Sequence, residues 1–216
     1  MSPYRYAEAF MGRRYDHSRP EIREMAFVAA RRLAELEGYP GMTARAIAER
    51  IGYTAGTLYL VYQSLDELID RVTAEVLKRQ LYTLTVAVDA QETDADKFRE
   101  LVDAYCTFAA NYPKQWMLPF LHERKRSTTV PKEIADLKRK IYDLFASTLK
   151  PLLAGRDKEK IASMTVALWS GVCGSTILLL EQGLPGNRSL EPTELAGSLI
   201  ASVLGLSPSR KLPDES

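Results

Sequence analysis

The stretch Thr43–Tyr62, TARAIAERIGYTAGTLYLVY, decides the fold. Two short helical patterns are written into it, parted by one sharp break. Thr43 can cap the first, its hydroxyl accepting from an orphan amide two or three residues on. Ala44, Ile47, Ala48 and Ile51 fall at i, i+3, i+4 and i+7, one apolar face of a short helix. Gly52 follows where a chain leaving a helix turns left-handed, which glycine does without a Cβ clash. Thr54 can cap a second, shorter helix running through Ala55, Gly56, Thr57, Leu58, Tyr59 and Tyr62. Two short helices across a glycine turn describe a helix-turn-helix. In that geometry the second helix lies in the major groove and the first crosses the backbone.

The side chains add chemistry to the spacing. Ala48 is small where the two helices must cross, and Leu58 and Tyr62 can reach back to Ile47 and Ile51. The outward side of the second helix keeps Thr57 and Tyr59, with Thr54 at its amino end. Their hydroxyls suit phosphate oxygens, and the helix start adds free amides. Arg45, on the outer side of the first helix, can reach a phosphate or a guanine edge. The plainer alternatives are a half-buried packing role for Tyr59 and a solvated surface arginine at 45.

At this point the chain resembles a known family. Arg23 to Ile69 is similar to the DNA-binding domain of TetR-family transcriptional regulators, through Ala29-Ala30, Gly38, Thr43, Ile47-Ala48, Gly52, Thr54, Gly56-Thr57-Leu58-Tyr59, Tyr62 and Leu65-Asp66-Glu67-Leu68. The resemblance implies an all-α protein: a three-helix DNA-binding domain followed by a larger helical domain for effector binding and dimerisation. It also implies double-stranded operator DNA as partner, contacted by Thr43, Arg45, Thr54, Ala55, Gly56, Thr57, Tyr59, Leu60 and Gln63. Two departures stand out. The family usually has a phosphate-holding lysine where this chain has Leu65. Ala55, Gly56, Leu60 and Val61 also occupy positions that often carry polar base readers, so readout should lean on methyl contacts, Arg45 and DNA shape.

Composition bounds the answer without reaching it. The 216 residues are 46% hydrophobic, enough for a sizeable core, with a net charge of only +1. Residues 1–65 carry 9 Lys+Arg against 7 Asp+Glu, hence +2, and the remainder 20 against 21, hence −1. All nine early cations are arginines, which favour planar phosphate contacts. Cys106 and Cys173 lie far apart in apolar helical patterns and read as buried free thiols; a redox switch is the alternative. Neither has zinc-ligand spacing. The amino end lacks an apolar targeting core and no stretch reads as a membrane span, so a cytoplasmic protein is expected. With two histidines and no nucleophile or phosphate-cradling motif, neither an enzyme nor a cofactor or metal site is expected.

The boundaries read as an arm over 1–20, the helix-turn-helix domain over 21–65, the effector and dimerisation domain over 66–206, and a disordered tail over 207–216. The arm is rich in tyrosine and arginine; Arg13 and Arg14 would enter the minor groove if it is ordered, and it is otherwise a loose tail. A first helix from Pro20 keeps an apolar stripe to Leu36. A long helix from Asp66 to about Val88, capped by Ser64, links head to body. Further helices are expected at about 94–112, 115–125, 131–153, 157–182 and 192–204, and no strands. The last two should pair with their copies as a four-helix dimer interface, which the family resemblance also implies; an intrachain core is the alternative. An effector pocket, the usual partner of this architecture, has candidate walls in Tyr105, Phe108, Trp116, Met117, Phe120, Leu121, His122, Tyr142, Phe145, Trp169, Cys173 and Thr176. Aromatic and sulfur-bearing walls suit an apolar or aromatic ligand, although each residue also fits a plain core. Three functions compete: an effector-responsive, DNA-binding repressor; a helical interaction protein that has lost sequence-specific DNA binding, favoured by Leu60, Val61 and Leu65; and a helical enzyme or ligand carrier.

Overall fold

The computed structural model describes residues 17–125 and 129–180, together with Glu194, Gly197, Ser198 and Ala201. Every regular element among them is helical. Helix α1 (Arg19–Leu36) starts at Ser18, whose amide and hydroxyl both donate to the Glu21 carboxylate at 2.7 Å. After α1, Gly38 takes φ +73°, a left-handed value that a side chain would strain, and the chain enters a 3₁₀ turn over Tyr39–Gly41. Helix α2 (Ala44–Arg50) is capped by Thr43, whose oxygen accepts from the Ala46 amide at 3.1 Å. Gly52, at φ +76°, makes the turn into α3 (Ala55–Leu58), capped in the same way by Thr54 through the Thr57 amide.

Helix α3 is shorter than the helical pattern to Tyr62 implies. Past Leu58 the chain tightens: the amides of Leu60 and Val61 bond three residues back, to Thr57 and Leu58. Tyr62 is nonetheless buried with Leu58, as its register requires.

Helix α4 (Leu65–Asp89) is a single 25-residue rod with Ser64 as its cap. Helix α5 (Asp94–Asn111) is capped by Thr93, then Pro113 opens the short α6 (Pro113–Trp116), which leads into α7 (Leu118–Lys125). Helix α8 (Lys132–Leu149) gives way to a 3₁₀ turn over Lys150–Leu153, because Pro151 has no amide to continue the ladder. Helix α9 (Lys158–Leu180) ends the continuous description. The expected arm at 1–16, the tail at 207–216 and most of the expected 192–204 helix lie outside the described residues; Glu194, Gly197, Ser198 and Ala201 are helical.

Two cores form, and α4 serves both. Leu33, Ile47, Leu58 and Tyr62 build the head core, which Leu68, Ile69 and Val72 of α4 complete, so this core runs past residue 65. The body core joins Leu77, Leu84 and Val88 of α4 to Phe98, Leu101, Phe145, Leu149, Leu168 and Val172. Helix α1 is tied to α4 by the ion pairs Arg23–Glu67, Arg71–Glu24 and Arg31–Glu75. Arg23 also stacks over the Tyr62 ring at 4.1 Å and donates to the Val61 carbonyl, while the Tyr62 hydroxyl donates to the Arg23 carbonyl at 2.9 Å. That clasp fixes where the helix-turn-helix ends.

Both thiols are free. Burial pushes Cys106 and Cys173 up to about 11, although their hydrogen bonds with Thr176 and Tyr105 respectively pull the other way.

Truncating Leu58 to alanine should cost about 3 kcal/mol in urea unfolding, since it leaves a cavity in the head core where α3 packs on α1 and α2. Leu60→Ala, at a solvent-facing position, should stay within about 0.5 kcal/mol. The thiols add a pH dependence. Below pH 9 folded and unfolded chains both keep these protons; between 9 and about 11 the unfolded chain releases them and the folded chain does not. Stability should therefore fall through that window, and fall less in a Cys106→Ala/Cys173→Ala variant, as read from urea midpoints at pH 8, 9.5 and 10.5.

Candidate nucleic-acid interface and the cavity behind it

The helix-turn-helix sorts its side chains by register. Ile47, Ala48, Leu58 and Tyr62 face inward, while Tyr59 is 52% exposed and Leu60 64% exposed. Thr43, Arg45, Thr54, Gly56 and Gln63 are exposed too, and Ala55 and Thr57 half-buried. Seven of the nine residues expected to meet DNA are thus exposed and the other two half-buried. The Thr54 and Thr57 hydroxyl oxygens lie 3.2 Å apart. Because Thr54 already accepts from the Thr57 amide, one of the anticipated free amides is used in the cap, and the bond between the two hydroxyls leaves one of their protons to place. Arg45 pairs with Glu49 at 2.9 Å in full solvent, and Arg50 with Glu37 at 3.7 Å. Gly56 is not a packing requirement: a Cβ there would meet nothing closer than the Thr54 oxygen at 3.7 Å. Its bare backbone is instead open to outside approach. His17, the first described residue, hydrogen-bonds through Nδ1 to the Tyr53 hydroxyl at 2.8 Å. The segment preceding α1 thus joins the head beside the α2–α3 turn; Arg13 and Arg14 lie outside the described residues.

Behind the head, the body holds a cavity of about 220 Å³ between α4, α5, α6, α7, α8 and α9. Of the wall residues expected from sequence, Tyr105, Trp116, Phe120, Trp169 and Cys173 line it. The other members of the expected set lie elsewhere. Phe145 packs on Phe98 and Trp169 in the filled core beneath, and Tyr142 meets the Trp169 edge. Phe108 faces Tyr112, and the Thr176 hydroxyl is spent on the Val172 carbonyl and Cys106 Sγ. Met117 and Leu121 are half-buried beside the wall without lining it.

Sequence reasoning missed Leu77, Gln80, Pro119, Lys138 and Ile141. Gln80 had a visible signal. It sits at i+3 from Leu77 and i−4 from Leu84, a polar side chain inside an apolar stripe. Within the cavity, the Tyr105 hydroxyl and Cys173 Sγ are 3.2 Å apart, and burial raises the phenol well above its usual range, so both are neutral at physiological pH. Lys138 is paired with Glu123.

His122 is buried, and not on the cavity wall. Its Nε2 meets the Asp70 carboxylate at 2.9 Å and its ring lies against Tyr39, with centroids 5.7 Å apart. Helix α7 therefore touches the head core through Leu118 and His122, one turn apart, and the cavity through Pro119 and Phe120.

The comparisons with known proteins agree with this geometry. Residues 27–72 match the bacterial regulatory proteins of the tetR family, and residues 98–203 match the tetracyclin repressor-like C-terminal domain. None of the curated proteins matches the chain. Among solved structures, a Rhodococcus sp. RHA1 protein of unknown function superposes with a TM-score of 0.68 at 17% identity, covering 90% of this chain and 98% of its own. FadR of Thermus thermophilus, a TetR-family repressor solved with lauroyl-CoA, gives 0.59 at 18% identity, with 90% and 99% covered. FadR of Bacillus subtilis, solved with stearoyl-CoA, gives 0.59 at 13%, with 84% and 96% covered. These likenesses carry the fold, and the two family matches carry the membership: this chain belongs to the TetR family of bacterial transcriptional regulators.

Proposed function

We propose that the chain is a repressor that binds a roughly palindromic operator as a homodimer and leaves it when a small, largely apolar effector fills the body cavity. One observation carries the reading: Thr54, Thr57, Tyr59 and Leu60 point outward from a capped helix whose Leu58 and Tyr62 are buried. Hydroxyls there meet phosphates, the Leu60 and threonine methyls meet thymine, and Arg45 supplies the charged contact. The FadR neighbours were solved with acyl-CoA, which supports an apolar effector here. A cavity of about 150 Å³ holds benzene, so the present one takes a body of about nine heavy atoms; a long acyl chain would need the helices to part. An effector pressing on Phe120 moves α7, whose Leu118 and His122 are lodged in the head. The two heads then leave the spacing of about 34–36 Å that adjacent major grooves demand.

A second copy of the chain covers α9. The helix has the length and hydropathy of a membrane span over Lys158–Leu178, with only 28% of that window buried. Leu168, Val172 and Thr176 pack inward, while Ala162, Val166, Ser170, Gly174 and Leu178 form a stripe at four-residue spacing. Val166 is 53% and Leu178 44% exposed, and a Cβ at Gly174 would meet nothing within 4 Å. Small residues between apolar ones let two such helices approach closely, and a dimer of a cytoplasmic protein follows. The competing reading, a head turned to a protein partner, rests on three apolar groups. Of these only Leu60 is exposed; Val61 and Leu65 pack against the head core.

Selection from a random duplex library should enrich a palindrome, with affinity falling steeply as salt rises. Thr57→Ala with Tyr59→Phe should weaken binding to the selected site at least tenfold; an unenriched library, or unchanged affinity, would remove the DNA reading. Sedimentation should show a dimer that Val166→Glu with Leu178→Glu converts to a folded monomer. A variant that stays dimeric would place the interface elsewhere.

A further inference from the structure

We infer that the effector is a neutral carbonyl compound with a compact apolar body, its oxygen held by the side-chain amide of Gln80. The inference rests on the cavity being the effector site and adds the chemistry the ligand must bring. Gln80 lines the cavity at 5% exposure, and its Nε2 has no hydrogen-bond partner. Buried amide donors are rarely left this way, and an acceptor entering the cavity removes the cost. Trp116 repeats the pattern: its Nε1 is buried beside the Tyr105 hydroxyl without making a hydrogen bond of acceptable geometry. For the indole the Tyr105 oxygen is an acceptor close at hand, so Gln80 Nε2 is the stronger case of the two. The Tyr105 hydroxyl and Cys173 Sγ are engaged with each other, and Lys138 with Glu123. The Gln80 group is a donor, so the ligand that satisfies it brings an acceptor oxygen.

Charge decides between a carbonyl and a carboxylate. Lys138 is the cation on the wall, and Glu123 already neutralises it. A carboxylate placed against Gln80 would have to draw Lys138 away from Glu123 to be offset, a cost that a neutral oxygen does not carry. A ketone, ester, lactone or amide oxygen meets the same donors without that cost. The volume accommodates a body of about nine heavy atoms, on the scale set by benzene, and the Trp116 and Trp169 rings on the wall favour a flat or compact one.

The chain has two tryptophans, and both line the cavity, so their indole N–H resonances report on this site alone. Titration of the ¹⁵N-labelled full-length protein with three probes of nearly equal size tests the inference: acetophenone, ethylbenzene and benzoate. Acetophenone should shift the indole signals and bind at least tenfold more tightly than either of the others. In Gln80→Met, which keeps the side-chain volume and removes the donor, acetophenone should weaken about tenfold and ethylbenzene should not weaken. Ethylbenzene or benzoate binding as tightly as acetophenone to the wild-type protein would overturn the carbonyl assignment and leave the effector site standing. Indole signals unmoved by millimolar concentrations of all three would overturn both. The wild-type comparison does not depend on the variant folding.

Discussion

One helix belongs to two cores, and the molecule is organised by that sharing. Helix α4 gives Leu68, Ile69 and Val72 to the head and Leu77, Leu84 and Val88 to the body, with no break between. At about 1.5 Å per residue its 25 residues span nearly 40 Å. A packed interior answers a shift by switching arrangement, not by stretching, so a rod fixed in two interiors transmits displacement from one to the other. The clasp of Arg23 on Tyr62, Val61 and Glu67 keeps the recognition segment attached to that rod. Helix α7 makes a second bridge. Its i and i+4 residues, Leu118 and His122, are buried against head elements, and Pro119 and Phe120 between them line the cavity. On the proposed mechanism, these two connections from the walls of one cavity are the route by which an effector would tilt the head.

What was legible in the sequence was local chemistry. Thr43, Thr54 and Ser64 cap the helices that their positions implied, because a cap depends on the next three amides and little else. Gly52 was legible for the same reason: its left-handed turn is a property of one residue. The end of α3 was not. Whether Tyr59 to Val61 continue as α-helix depends on the pull of Arg23 and Glu67 from two other helices, and no window of sequence contains that. The cavity was only half legible. Phe108, Phe145 and Thr176 have the same composition as Trp116, Phe120 and Cys173, and which set borders empty space depends on how six helices leave gaps between them. Gln80 shows the better signal, a polar group in an apolar register, which aromatic content alone passes over.

The head's arginines carry a related lesson about charge. Composition places nine cations before residue 66, all arginines, and invites assigning them to phosphate. Arg23, Arg31, Arg32, Arg45 and Arg50 each pair with a carboxylate in the free chain. Those pairs differ in what they can give up. Arg23 is engaged by a ring, a carbonyl and a carboxylate together, so removing it would open the clasp. Arg45 holds only Glu49, on its own helix and in full solvent.

An exposed pair of that kind is worth a few tenths of a kcal/mol. A phosphate or guanine edge bonding the same guanidinium offers a charge-assisted and often bidentate contact, stronger than the pair it replaces. Exchange at Arg45 is therefore downhill once DNA is near, and Glu49, released beside a polyanion, disfavours any register that does not engage the arginine. The pair thus works against loosely docked complexes and weakly against the correct one. On the proposed mode of DNA binding, with Leu65 standing where the family's phosphate-holding lysine usually lies, this discrimination would fall more heavily on Arg45 and on the hydroxyls of Thr54 and Thr57. A near-neutral head can in this way be selective without being strongly attracted to nucleic acid in general.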